Sequence, residues 1–127
     1  MEILGVGTDI VECLRVGRMI EQHGELFLTQ IYTEAEIRFC QARRRAIEHF
    51  AARWAAKEAV FLAMNRPWRR GMEWTDLEIS VDPEGITQVR LGGATREYAI
   101  NHRISRILLS MAHCRAYATA HALAIRD

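Results

Sequence analysis

The sequence predicts an α+β fold, and three observations carry that expectation. Helical periodicity fills most of residues 11 to 64, alternation of apolar and polar side chains dominates from about 76 onward, and the period changes once instead of cycling through strand–helix units. No repeat, low-complexity tract or Pro/Gly/Ser-rich linker interrupts the 127 residues, so one domain over 1–127 is expected.

The elements follow in order. "ILGVG" (3–7) reads as a short buried strand. Residues 11 to about 23 place Val11, Leu14, Arg15, Arg18, Met19 and Gln22 at helical intervals, with Asp9 in position to cap the first turn and Gly24 to end the helix. Thr33 with Glu36 three residues on is a capping box, which starts a second helix running to about Ala42. "AIEHFAARWAAKEAVFLAM" (46–64) is alanine-rich and free of Gly and Pro, a long helix closed by Pro67. "DLEISV" (76–81), a "PEG" turn and "TQVRL" (87–91) form a hairpin. "GGATREYAIN" (92–101) is a short helix, and "RILLSMAH" and "AYATAHALAI" are strands joined near Cys114-Arg115. In the last strand Ala118, Ala120, Ala122 and Ala124 share a face against which the long helix can lie closely, while Tyr117, Thr119, His121 and Leu123 share the other.

Composition narrows the function. Seventeen basic and sixteen acidic residues leave a formal charge of +1, which provides no bulk field toward nucleic acid or a membrane surface. Cys13, Cys40 and Cys114 match neither a zinc site nor a disulfide framework, so a reducing compartment is expected. The opening residues resemble neither a signal peptide nor a membrane span, and the expectation is a cytoplasmic protein.

Lys57 is the only lysine beside sixteen arginines, and Glu58 follows it. At about 100° per residue, Glu58 leaves its helix within about 60° of Ala51, Trp54, Ala55, Phe61 and Leu62. A carboxylate on that stripe needs a partner, either an arginine in a buried pair or a metal ion. Asp9 follows Gly5 and Gly7 where a strand gives way to a helix, and arginines cluster at 43–45 and at 66, 69 and 70. Two carboxylates, a lysine and grouped arginines are the set that holds a hard divalent cation against phosphates.

"GVGTDIVE" (5–12), "RWAAKEA" (53–59) and "HCRAYATA" (113–120), with "FLTQIYTEAEI" between the first helices, resemble the holo-acyl-carrier-protein synthases, small 4'-phosphopantetheinyl transferases. The resemblance implies that family's fold, a long central helix packed on an antiparallel-type sheet. It also implies transfer of the phosphopantetheine arm of coenzyme A to a serine of an acyl carrier protein, with Mg²⁺ and release of adenosine 3',5'-bisphosphate, and leaves fatty acid biosynthesis and specialised metabolism both open. It puts Asp9 and Glu58 at the metal, Lys57 and Glu58 in the catalytic centre, and Arg44, Arg45, Arg53, Lys57 and His113 on coenzyme A. The carrier would dock on Arg15, Arg18, Met19 and Gln22. Which group takes the serine proton stays open.

The resemblance further implies a homotrimer with active sites between subunits, for which the alanine-lined last strand and "RILLSMAH" would supply apolar surface. Leu62 stands where the family has a further lysine, Asn65-Arg66-Pro67 replaces its glycine-rich loop, with Arg66, Arg69 or Arg70 as substitutes, and Ala112 replaces a serine before His113. A non-catalytic homologue that binds a carrier protein or nucleotide is the alternative; a nucleic-acid binder is not expected.

Overall fold

The computed structural model describes residues 1–65 and 73–127. In order, the chain forms β1 (Glu2–Glu12), α1 (Cys13–Ile31), α2 (Glu34–Gln41), α3 (Ala46–Ala63), a 3-10 turn (Trp74–Asp76), β2 (Leu77–Val81), β3 (Thr87–Leu91), α4 (Gly93–Asn101), β4 (Arg106–His113) and β5 (Tyr117–Arg126). β1, β5 and β4 make an antiparallel sheet in that order, and β2 with β3 a separate hairpin. This is the expected α+β architecture, with α3 laid across the three-stranded sheet. No helix among the described residues is long and apolar enough to cross a membrane.

Register defines the two sheet faces. Gly7–Ala122–Leu109, Asp9–Ala120–Met111 and Val11–Ala118–His113 are rows toward α3, and the four alanines of β5 are buried beneath it. Small side chains let the helix settle close: a Cβ on Gly7 would overlap the carbonyl oxygen of Ala59, and one on Gly5 that of Ala63. The rows Val6–Leu123–Leu108, Thr8–His121–Ser110 and Ile10–Thr119–Ala112 form the opposite face. Val6, Ile10, Leu108 and Tyr117 are exposed there. The alanine stripe is therefore core and does not supply the apolar surface expected of it for packing between copies; the exposed apolar side chains of this sheet lie on the opposite face.

Three boundaries differ from expectation. The β1 ladder continues to the Glu12–Tyr117 pair, so residues 8–12 are extended, α1 begins at Cys13, and Asp9 lies within the strand instead of capping a helix. Gly24, at φ 54° and ψ −132°, kinks α1 without ending it, because the next turns bury Phe27, Leu28 and Ile31. α3 ends at Ala63, and Pro67, the expected stop, lies outside the described residues. The Thr33 capping box is present, with Glu36 Oε1 accepting from Thr33 N at 2.8 Å and Thr33 Oγ1 from Glu36 N at 3.3 Å.

Candidate active site

The first cluster lies on the β1 flank of α3. Beyond the close approach at Gly5 and Gly7, Asp9 is the next β1 side chain on the inner face, and it meets Trp54 and Glu58 of α3 and Arg15 of α1 around a cavity of about 180 Å³. The Trp54 indole N–H donates to Glu58 Oε1. Asp9 Oδ2 is buried with no hydrogen-bond partner among the described residues. Burial first, then the charge of Asp9, pushes the Glu58 carboxyl up, while the indole bond and Arg15 oppose the shift. Asp9 is likewise raised by burial, with the Ile10 N–H and Arg15 pulling the other way. Asp9 opposes the ionisation of Glu58, and its own buried oxygen has no partner among the described residues, so two carboxylates face a single flanking guanidinium, that of Arg15. The buried Glu–Arg pair that helical geometry allowed for Glu58 does not form among the described residues. Two carboxylates are a common protein contribution to Mg²⁺, whose other ligands are water and substrate phosphate, so this donor set fits that ion.

The second cluster lies on the opposite, β4 flank. Arg53 is 2 % exposed, yet its Nε and Nη2 have no partner among the described residues. It borders a cavity of about 680 Å³ with Phe39, Arg43, His49, Met111, His113 and the hairpin turn. Arg43, Arg44, Arg45, His113 and Arg115 surround an adjoining cleft of about 460 Å³. Glu48, buried in the first turn of α3, accepts from His113 Nδ1 at 2.9 Å and lies 3.7 Å from Arg45. His49 meets the His113 ring at 4.7 Å between centroids, and burial, then the neighbouring His113 and Arg53 side chains, hold its imidazole below the usual range. The arrangement has the chemistry to receive an anion, with Nε and Nη2 of its most buried guanidinium uncommitted among the described residues.

Lys57 belongs to neither cluster. Its ammonium is fully buried and contacts Glu36 Oε1 at 2.7 Å and the carbonyl oxygens of Ile31, Leu77 and Trp74 at 2.8, 2.7 and 3.1 Å. Three N–H donors already serve four acceptors, so none is left for a phosphate. The expectation of a phosphate contact is corrected: on a helix, consecutive residues diverge by about 100°, and Glu58 takes the cavity while Lys57 takes the core. The buried ion pair foreseen for Glu58 is made by its neighbour. Glu36 completes it, with Oε2 accepting from Ile79 N at 2.8 Å, so one carboxylate caps α2, anchors β2 and neutralises Lys57.

Of the residues picked out by sequence, Asp9, Glu58 and Arg15 are brought together, as are Arg44, Arg45, Arg53 and His113. Arg18 and Gln22 are exposed on α1, and Met19 is half-buried beside them. Leu62 is exposed, and Ala112 faces away from the His113 cavity. Arg66, Arg69 and Arg70 lie outside the described residues. Glu48, His49 and Phe39 were not anticipated; the i, i+4 spacing of His49 and Arg53, with Glu48 beside them, was the available signal.

A long helix on a β1-β5-β4 sheet, with paired carboxylates on one flank and an arginine–histidine cleft on the other, brings together the kinds of group that suit a divalent cation and phosphate. The model of the 4'-phosphopantetheinyl transferase superfamily matches residues 5–124. The Rhodopirellula baltica holo-[acyl-carrier-protein] synthase is 46 % identical over 121 residues, covering 95 % of this chain and 96 % of its own. The crystal structure of the Neisseria meningitidis holo-[acyl-carrier-protein] synthase superposes with a TM-score of 0.90 at 29 % identity, covering 98 % of this chain and all of the other. The Chronobacterium ammoniagenes ACPS–CoA complex gives 0.84 at 28 %, covering 100 % and 99 %. The chain belongs to the holo-acyl-carrier-protein synthase family of 4'-phosphopantetheinyl transferases and is an enzyme of that class.

Proposed function

We propose that this chain transfers 4'-phosphopantetheine from coenzyme A to a serine of an apo acyl carrier protein, with Mg²⁺, releasing adenosine 3',5'-bisphosphate. The observation that carries the reading is the Asp9–Glu58 centre, where a buried carboxylate oxygen without a partner among the described residues lies at a cavity beside a second carboxylate. Asp9 and Glu58 would hold the metal, which when bound supplies positive charge against the phosphates. The serine oxygen bonds to the phosphorus that carries the pantetheine, and the bond to the bridging oxygen breaks with its electron pair leaving on the adenosine bisphosphate. Glu58, with Oε1 held by the indole, is the acceptor this chain offers for the serine proton. The Arg53 donors that have no partner among the described residues, with Arg44, Arg45 and the Glu48-oriented His113, would take the nucleotide phosphates. Arg15 and Arg18, with Met19 and Gln22, offer a basic and apolar face to an acidic carrier, and Arg15 also borders the carboxylate cavity, so docking there brings the serine alongside.

The two clusters sit on opposite flanks of one helix, at the two edges of a three-stranded sheet, about 10 Å apart across the strands alone. This supports a homotrimer in which one subunit's carboxylates face its neighbour's arginine cleft. The apolar face bearing Val6, Ile10, Leu108 and Tyr117 suits packing between copies. Three unpaired cysteines fit a reducing compartment such as the cytoplasm. The test is incubation with coenzyme A, Mg²⁺ and an apo carrier, read by intact mass. A gain on the carrier equal to the phosphopantetheine arm is expected. No gain, with nucleotide still bound, would leave a non-catalytic homologue.

A further inference from the structure

The receptor on the β4 flank is organised around a ring to which no role has yet been given. Phe39, in the last turn of α2, has the guanidinium carbon of Arg43 at 3.9 Å and that of Arg53 at 4.2 Å from its centroid. His49 approaches the same ring edge-on, 5.8 Å between centroids. Two like charges therefore share one phenyl ring, an arrangement that repulsion opposes and the negative π-face offsets. Arg53 has no carboxylate or carbonyl partner on Nε or Nη2 among the described residues, although it is 2 % exposed. With no hydrogen bond to aim these two donors, the Phe39 ring is a contact that can orient the guanidinium. Phe39, Arg43 and Arg53 border the same cavity.

We propose that Phe39 is the positioning residue of the anion subsite: its ring holds the Arg43 and Arg53 guanidinium groups at the cavity, with Arg53 Nε and Nη2 uncommitted among the described residues, pre-organised for the phosphates of the incoming nucleotide. The proposal rests on the reading of this cavity as the coenzyme A subsite. Orientation by a π-face satisfies the charge of an arginine without consuming its N–H groups, which a carboxylate partner would do. The residue touches no reacting atom, so its removal should raise KM for coenzyme A and leave kcat alone.

The test replaces Phe39 in the full chain by 4-fluoro-, 3,4-difluoro- and 3,4,5-trifluorophenylalanine, which keep shape and apolarity while draining the ring's negative face. Adenosine 3',5'-bisphosphate is titrated calorimetrically into each variant, and Tm, kcat and KM for coenzyme A are measured. Affinity should weaken stepwise, by about three- to tenfold at the trifluoro ring, with KM rising in parallel and Tm and kcat unchanged. Phe39→Leu should lose more and Phe39→Trp should recover binding. A flat affinity across the fluorinated series, with the wild type binding normally, overturns the positioning role while the subsite stands. A wild type that does not bind the bisphosphate overturns the subsite and the proposal together.

Discussion

Replacing Lys57 separates a lysine that holds the fold from one that serves the chemistry. In Lys57→Met the Glu36 carboxylate, with a side chain 1 % exposed, keeps its N–H partners from Thr33 and Ile79 but loses its counter-charge, and the carbonyl oxygens of Ile31, Leu77 and Trp74 lose a donor. Stranding one member of a buried pair costs about 3–5 kcal/mol. With an unfolding entropy of about 2.1 cal/mol/K per residue over 127 residues, each kcal/mol moves the midpoint by about 4 °C, so Tm should fall by about 10–20 °C. Lys57→Arg should also destabilise, because a planar fork does not fit a fully enclosed ammonium cage. Adding Glu36→Gln to Lys57→Met should recover about 2 kcal/mol, since neither charge is then left alone. The assay is far-UV circular dichroism melting at one fixed protein concentration, with turnover measured well below each midpoint. A Lys57→Arg protein of wild-type Tm and sharply reduced turnover would refute the structural role and restore the phosphate contact.

Glu58→Gln should abolish turnover and the stabilisation by Mg²⁺ without weakening the apo fold. Its carboxyl is raised by burial and by Asp9, so its contribution to stability is complete below the unfolded value and is lost as pH rises through the folded one. The metal-free variant should therefore melt at or above the wild type at pH 7, the gap closing toward pH 4, and a large loss at pH 7 would mean that a cation already pairs with Glu58. Gly7→Ala, whose added carbon would overlap the Ala59 carbonyl, should cost more than about 3 kcal/mol in a denaturant titration and lift α3 from β1; wild-type stability would show that the helix is not seated there. Glu58→Gln and Arg53→Ala subunits, each inactive alone, should regain turnover when co-refolded, because mixed trimers contain interfaces with both groups intact. Silence of the mixture, with trimers confirmed by light scattering, would place the whole site within one chain.

Local chemistry made much of this legible. The Thr33 capping box, the alanine-rich α3, the hairpin and the alternating last strand are short-range signals, and each produced the expected element. Asp9 and Glu58 were legible as a charge-poor pair because a glycine-spaced strand end and a carboxylate on an apolar stripe are local patterns too. The end of β1 was not, since only the partner strand β5 keeps residues 8–12 extended. Lys57 was misread because its true partner, Glu36, lies twenty-one residues earlier in another helix, where a capping box already accounted for it. Phe39 and His49 gain meaning only when α2, α3 and β4 converge on one cavity.

The enclosure of Lys57 also shapes how the protein meets reagents. The chain's only ε-amine is fully buried and fourfold bonded, while every other basic side chain that could carry a permanent charge is an arginine. Reactive thioesters, aldehydes and activated esters, which acylate or cross-link lysines, therefore find no ε-amine on the folded surface. Such reagents become a folding gauge: lysine labelling reports the opening of the α2–α3–β2 junction, at a single site and against no background from other lysines.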